Sequence, residues 1–340
     1  MRFVLAVWFL SRAVIFVAFA AASDHALASA GNWDGAWYGS IAQHGYGSAT
    51  RGLQHDVAFF PLFPMLAALL LRAGITWPLA GVIVNNAAFL VALAILYRLV
   101  QTRWNVISAR WTVATACAVP TSLFAGIAYH EGTFLLFSAL ALWMTLRGRP
   151  LAGGLAGAAA SATSVLGVAL AAALVVEAIV QRRGARAIAS STLAFGGIAF
   201  FALFCWLRFG DPLAFAHAEA GWRATGIDVA AWMRLYGSII GLWRSNLFVA
   251  LVPLAAIAIL VQHKALGRLL TLYGLFAIVL ILLAGEPIGA DRYAFAVIPV
   301  LIACARVLQR VPIAGVPLLL GSMALVAYDA VQFARFNWVA

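Results

Sequence analysis

The stretch that decides the fold lies between Pro78 and Arg98 and reads L-A-G-V-I-V-N-N-A-A-F-L-V-A-L-A-I-L-Y, from Leu79 to Tyr97. None of its residues is charged, and about 20 mostly apolar residues suffice for a helix to cross a bilayer. Comparable runs recur along the chain: Phe3–Ala22 (interrupted by Arg12), Trp111–Ala128, Gly132–Leu146, Pro150–Val176, Ala187–Leu207, Ser245–Gln262, Leu269–Gly285, Tyr293–Ala305 and Val311–Tyr328. This repetition predicts an all-α, polytopic membrane protein.

The composition excludes most other classes. Of the 340 residues, 65% are hydrophobic and 10% are charged, whereas a soluble domain is about half apolar and a quarter charged. A soluble enzyme, a disordered chain and a disulfide-built secreted domain are therefore excluded. An outer-membrane barrel is disfavoured, because its strands would alternate in polarity. The 3 cysteines lie in apolar runs without metal-ligand spacing.

The basic residues predict the orientation. The chain has 22 Lys and Arg and a net charge of +11, but these residues form short clusters between apolar runs, which is typical of cytoplasmic loops and not of a nucleic-acid surface. If all the basic clusters face the cytoplasm, the chain must cross the membrane an even number of times between any two of them. The run Pro150–Val176 must then form two short helices or a re-entrant hairpin turning near Ser161–Ser164. By the same parity, residues 57–72 form a helix at the outer interface.

The predicted architecture is a single transmembrane domain over residues 1–340 with about eleven membrane segments, its N-terminus inside and its C-terminus outside. Outer loops are expected at 24–56 and 209–244. This orientation also places ten of the 11 acidic residues outside and only Glu177 inside. A site on the outer face would explain that distribution, as would simple exclusion of acids from cytoplasmic loops.

The first outer loop is the richest polar segment. It reads N-W-D-G-A-W-Y-G-S-I-A-Q-H-G-Y from Asn32 to Tyr46, and Asp56 follows. A carboxylate beside Trp33 and Trp37 at a membrane boundary makes an amphipathic site, because aromatic rings pack on a sugar face or on lipid while the carboxylate accepts a proton from a hydroxyl. An aromatic belt with a helix-capping Asp is the alternative interpretation.

This loop, followed by A-F-F-P-L-F-P at Ala58–Pro64, resembles the PIG-V-type mannosyltransferases. These are polytopic glycosyltransferases of the GT-C class and include the second mannosyltransferase of the GPI-anchor pathway and its bacterial relatives. Further matches follow in sequence order: Ala80–Phe89, Pro120 with Tyr129-His130-Glu131, Gly210-Asp211-Pro212, and Arg292-Tyr293 with Pro299. The chain departs from the family at Thr163–Gly167, which lacks the usual Arg, and at His130, where Ser is common.

The resemblance implies inverting transfer of a hexose, with mannose expected, from a polyprenyl-phosphate sugar to a lipid or glycan acceptor. The reaction would take place on the periplasmic or extracellular side of a bacterial inner (plasma) membrane. A general base must deprotonate the acceptor hydroxyl, and a cation or several donors must hold the leaving phosphate. The high Ala and Arg content suggests a bacterial chain, so the acceptor cannot be inferred from the GPI pathway.

The catalytic candidates are Asp34, as general base, and Asp56, as a partner acid or acceptor-positioning group. Arg292 is a candidate for binding the donor phosphate through its guanidinium. The full set of candidate donor- or acceptor-binding residues is Trp33, Trp37, Tyr38, His130, Glu131, Arg292 and Tyr293. We expect no cofactor, no structural metal and no nucleic-acid partner.

Two other classes of protein remain open. A lipid or solute transporter would have a similar number of segments and a broken helix near Ser161–Ser164, but it should show inverted repeats, and we find none. A non-catalytic membrane scaffold would explain the missing Arg as a decayed site. The presence of Asp34, Asp56 and Glu131 on one predicted face argues against the scaffold.

Overall fold

A computed structural model describes residues 1–47, 49, 53–222, 252–284 and 289–339. Helices dominate this part of the chain, and short 3₁₀ turns occur at Asp56–Ala58, Pro120–Ala125 and Leu193–Phe195. The α-helices are α1 (Arg2–Ala22), α2 (Ala26–Ser29), α3 (Asp34–His44), α4 (Leu62–Arg72), α5 (Leu79–Arg103), α6 (Val106–Ala118), α7 (Glu131–Leu146), α8 (Pro150–Ser161), α9 (Gly167–Val180), α10 (Ala185–Thr192), α11 (Gly196–Phe209), α12 (Ala214–Glu219), α13 (Val252–Val261), α14 (His263–Leu266), α15 (Arg268–Leu283), α16 (Ala290–Phe295), α17 (Ile298–Arg310) and α18 (Pro312–Ala334). The predicted all-α class is confirmed.

Four helical stretches in the described residues are long and apolar enough to cross a membrane: Arg2–Ala22, Leu79–Arg103, Ala185–Phe209 and Pro312–Ala334. In the last two, only 22% of the most apolar window is buried. Their exposed apolar side chains suit a hydrocarbon solvent and would be costly in water. Shorter apolar helices complete the bundle, and the count of eleven segments stays a prediction.

The predicted break in the run 150–176 is confirmed. Helix α8 ends at Ser161 and α9 begins at Gly167. The Ser161 hydroxyl donates to the carbonyl oxygens of Ala158 and Ala194 at 3.1 and 2.7 Å. Gly157 allows α8 to approach Ala194 closely, because a Cβ at this position would lie 2.5 Å from the Ala194 Cβ. Two short helices therefore replace one long span.

The bundle has two polar ends, which lie at opposite ends of helix α7. Glu131 is the first residue of α7. The other end of that helix lies about 24 Å away. There Arg183 Nη1 donates to the Thr145 carbonyl at 3.4 Å. Near this basic end, Glu177 accepts from Arg268 Nε at 2.6 Å. Glu177, the one acid predicted on the cytoplasmic side, thus lies among basic side chains, while Glu131 lies at the opposite end.

The large apolar core joins α5, α6, α7, α9, α15 and α17. A second apolar cluster packs α1 and α18 against the 3₁₀ turn Pro120–Ala125 and the residues that follow it. Helix α5 packs along α7, α7 along α8, and α1 along α18. The second cluster supports the end of the bundle that carries Glu131, and the candidate site lies there.

Candidate functional site

Three charged side chains that are far apart in sequence meet at this end of the bundle. Arg292 Nη1 donates to Asp34 Oδ2 at 2.6 Å, and Arg292 Nε lies 3.3 Å from Glu131 Oε1, within ion-pair distance but not aligned for a hydrogen bond. The Arg292, Glu131 and Asp34 side chains are 6%, 2% and 19% exposed. We call Asp34, Glu131 and Arg292 the arginine–carboxylate cluster.

Asp34 is held in place by the start of α3. The Tyr129 hydroxyl accepts from the Asp34 backbone N–H and donates to the Asn32 carbonyl, both at 3.1 Å. Trp33, the residue before Asp34, has φ 55, a backbone conformation that is costly for a bulky side chain and that occurs often at functional sites. The Asp34 carboxylate makes no helix cap, so the capping interpretation of this residue is wrong.

Glu131 is positioned by two asparagines on α5. Asn85 Nδ2 donates to the carbonyls of Phe124 and Ile127, both at 2.7 Å, and Asn85 Oδ1 accepts from the Gly132 N–H at 2.7 Å. Asn86 Nδ2 donates to the Gly126 carbonyl at 2.8 Å. These bonds satisfy backbone groups that the 3₁₀ turn and the start of α7 leave unpaired, and they place Glu131 at the end of the bundle.

Arg292 lies in the short helix α16 and is surrounded by aromatic rings. Its Cζ lies between 5.1 and 5.8 Å from the ring centroids of Phe124, Tyr129, Tyr293 and Trp338. Its Nη2 is 3.4 Å from the Tyr293 hydroxyl. Cation–π contacts strengthen when water is excluded, so the rings and the two carboxylates together hold the guanidinium in one position.

A second polar contact joins α3 to the residues before α7. The Tyr38 hydroxyl is 2.8 Å from His130 Nδ1, and both side chains are buried. Burial and the nearby Arg292 guanidinium lower the pKa of His130 from 6.5 to about 3. His130 is therefore a neutral imidazole at ordinary pH, and its Nδ1 lies 3.9 Å from Glu131 Oε2.

The lowered pKa of His130 predicts a pH effect on stability. In the unfolded chain the imidazole takes up a proton below about pH 6.5, whereas in the folded protein it does so only near pH 3. The unfolded state thus binds more protons in this window, and the contribution of His130 to stability falls as the pH falls. Relative to wild type, the free energy of unfolding of His130→Gln should rise by about 1 kcal/mol as the pH falls from 7.5 to 5.5.

The measurement is the difference in thermal unfolding midpoint between the variant and wild type across that range. Only the difference is informative, because burial raises the pKa values of Asp291 and Glu131 to about 7, and these titrations change stability in the opposite direction over the same range. His25→Gln, which removes an exposed imidazole, is the matched control and should follow wild type. Curves for His130→Gln that stay parallel to wild type would contradict the assignment.

The contacts described for Asp56 and Trp37 are with residues outside the arginine–carboxylate cluster. Asp56 is buried in the 3₁₀ turn Asp56–Ala58, and its Oδ2 accepts from the Gly47 N–H at 2.7 Å. Trp37 stacks on Phe59 at 6.0 Å and meets the edge of Trp222 at 5.7 Å. Asp56 thus stabilises its own loop, and its role as a partner acid stays a prediction.

Several contributors were missed by sequence reasoning. Phe124 and Trp338 contact Arg292, and each looks in the sequence like an ordinary core aromatic residue. Tyr129 contacts both Arg292 and Asp34; it lies in a segment that matches the family but was not predicted as a site residue. Asp291 is buried beside Arg292, and its Oδ1 accepts from the Arg292 N–H at 2.9 Å; its adjacency to Arg292 was the available signal. Most of the predicted outer loop 209–244, from residue 223 onward, lies outside the described residues.

Comparison with known structures shows the fold. The fold is similar to that of ArnT from Cupriavidus metallidurans, solved bound to undecaprenyl phosphate, with a TM-score of 0.58 at 14% sequence identity, over 97% of this chain and 75% of that one. The predicted GT-C-like, polytopic membrane fold is confirmed. No curated protein sequence matches the chain.

The family follows from the sequence match. Residues 9–192, more than half of the chain, match the family described as Mannosyltransferase (PIG-V). The chain therefore belongs to the PIG-V mannosyltransferase family, and the predicted resemblance is confirmed. The matched range contains Asp34 and Glu131, while Arg292 comes from the part of the chain beyond it.

Proposed function

We propose that the protein transfers a hexose, most simply mannose, from a polyprenyl-phosphate sugar to a hydroxyl of a lipid or glycan acceptor, with Asp34 as general base. The observation that carries this proposal is the buried arginine–carboxylate cluster at one end of an apolar bundle. Family membership supports the sugar, and the undecaprenyl phosphate held by the structurally similar ArnT supports the kind of donor.

In the proposed reaction the acceptor oxygen attacks the anomeric carbon while its proton passes to an Asp34 carboxylate oxygen. The bond between the anomeric carbon and the phosphate oxygen breaks, and the electron pair leaves with the polyprenyl phosphate. Asp34 Oδ2 already accepts from Arg292, which leaves Oδ1 as the atom that receives the proton. Binding of the leaving phosphate by Arg292 stays a prediction, since the guanidinium contacts Asp34 in this structure.

The test is a transfer assay with purified protein in lipid nanodiscs. Polyprenyl-phosphate mannose and polyprenyl-phosphate glucose, labelled in the sugar, are incubated with lipids extracted from a bacterial envelope. We expect label in an acceptor lipid and release of polyprenyl phosphate, with mannose preferred. Movement of the labelled lipid between leaflets of liposomes without transfer would instead support a transporter, and binding without either reaction would support a scaffold.

We further propose that the site faces the periplasm of a bacterial inner membrane. Asp24, at the same end of the bundle as the first loop, is exposed, as are Arg149 and Arg183 at the basic end. In a variant without Cys117, Cys205 and Cys304, an impermeant thiol reagent should label Asp24→Cys from outside. It should label Arg149→Cys and Arg183→Cys only after the cells are permeabilised. Labelling of position 183 in intact cells would invert this topology.

A further inference from the structure

The residues that follow α18 turn back over the arginine–carboxylate cluster. The ring of Phe336 stacks on Trp33 at a centroid distance of 4.7 Å, and Trp338 meets Trp33 edge-on at 5.5 Å. Asn32 Nδ2 donates to the Phe333 carbonyl at 3.1 Å. The segment Phe336–Trp338 thus packs on the residue next to Asp34, and Trp338 also lies 5.8 Å from Arg292 Cζ.

Polar atoms without hydrogen bonds collect around this contact. The indole Nε1 atoms of Trp33 and Trp338 are buried and have no hydrogen-bond partner among the described residues, and the same holds for both carboxylate oxygens of Glu131. Nearly all buried polar groups in folded proteins are paired, and each exception calls for an explanation. Trp338 and Glu131 border Arg292, and Trp33 packs against Trp338, so two donors and two acceptors lie close together.

The mixture of donors and acceptors indicates the chemistry of a ligand. A phosphate offers only acceptors, so it could pair with the two indole donors but would leave the Glu131 oxygens without a partner. A pyranose offers both kinds of group, since its ring and hydroxyl oxygens accept from indole N–H groups and its hydroxyls donate to a carboxylate. Its apolar C–H faces also suit a wall of aromatic rings.

We infer that Trp33, Trp338 and Glu131 form a subsite that recognises the hydroxyl groups of a pyranose, with Trp338 supplied by the segment after α18. This inference rests on the proposed function and names the residues that read the sugar. Two sugars have the required chemistry, the hexose of the lipid donor and a terminal hexose of the acceptor. Either sugar would bring hydroxyl groups to the Glu131 carboxylate, and binding measurements show which of the two sugars the subsite recognises.

The experiment compares wild type with Trp338→Phe, which keeps an aromatic ring but removes the indole N–H. Binding of polyprenyl-phosphate mannose, of polyprenyl phosphate and of a mannose-terminated glycolipid is measured on purified protein in nanodiscs. Loss of one neutral hydrogen bond should weaken binding of one sugar ligand about 3- to 10-fold, and binding of polyprenyl phosphate should not change. Trp8→Phe is the control, because Trp8 Nε1 is also buried without a partner but packs in α1 against the large apolar core.

Weaker binding of the sugar-bearing donor alone assigns the subsite to the donor hexose, and weaker binding of the glycolipid alone assigns it to the acceptor. Equal affinities of wild type and Trp338→Phe for both sugar ligands overturn the inference, even where wild type transfers sugar normally. Sugar binding that depends on Trp338, without any transfer by wild type, keeps the subsite and overturns the proposed reaction. If Trp338→Phe melts well below wild type, Trp33→Phe replaces it with the same expected result, because the Trp33 Nε1 is the other buried indole donor without a partner.

Discussion

Asp34→Asn should lower the rate of sugar transfer about 10²–10⁴-fold, the usual contribution of a general base. The amide has nearly the same shape as the carboxylate, and its oxygen can still accept from Arg292 Nη1, which lies 2.6 Å from Asp34 Oδ2. It cannot take the proton of the acceptor hydroxyl, however. The measurement is the transfer rate of purified protein at saturating lipid donor, with a thermal melt to show that the variant is folded.

Two carboxylates of the same outer segment serve as controls. Asp24 is exposed, and Asp24→Asn should transfer sugar like wild type. Asp56→Asn should cost less activity than Asp34→Asn, because Asp56 bonds to the Gly47 backbone of its own loop. Wild-type turnover by Asp34→Asn together with an inactive Asp56→Asn would exchange the two roles, and full activity of both variants would remove the chemical basis of the proposed base.

Arg292→Gln should abolish transfer and also destabilise the protein by about 3–5 kcal/mol, the usual cost of leaving a buried charge without its partner. The Arg292 side chain is 6% exposed, and it is the cation between Asp34 and Glu131. Without it, two carboxylates face each other in a site with little access to water. The expected result is a lower unfolding midpoint and no detectable product, with Arg292→Lys intermediate because a lysine keeps the charge but not the forked geometry.

A double variant separates the two effects. In Arg292→Gln with Glu131→Gln one of the unpaired charges is gone, so much of the stability should return while transfer stays absent. Arg268→Gln is the matched control at the other end of the bundle, where Arg268 pairs with Glu177 and its side chain is 43% exposed. Solvent weakens such a pair, so the loss of stability should be smaller. Wild-type stability and activity in Arg292→Gln would overturn the role of the cluster.

The sequence was sufficient for the class of fold and the family, while the region of the site stays a prediction. Uncharged runs such as Leu79–Tyr97 have one stable solution in a bilayer, because a helix satisfies every backbone group within its own segment. The break between α8 and α9 was also predicted, because the chain must cross the membrane an even number of times between two cytoplasmic basic clusters. This requirement applies even to a run of uniform composition. The motif around Asp34 was specific enough to identify the family, which the match over residues 9–192 confirms.

Only the tertiary structure brought Asp34, Glu131 and Arg292 together. Their contacts depend on Asn85 holding the residues before α7, on Tyr129 holding the start of α3 and on Trp338 folding back over Arg292. Trp338 occurs where an aromatic residue is expected, so its local pattern carries no mark of the contact. Asn85 stands out as a polar residue in an apolar run, and Tyr129 belongs to a segment that matches the family, but neither position names its partner. Patterns of hydropathy and charge can be read directly from the sequence, whereas a hydrogen bond between residues 34 and 292 forms only after the helices have packed.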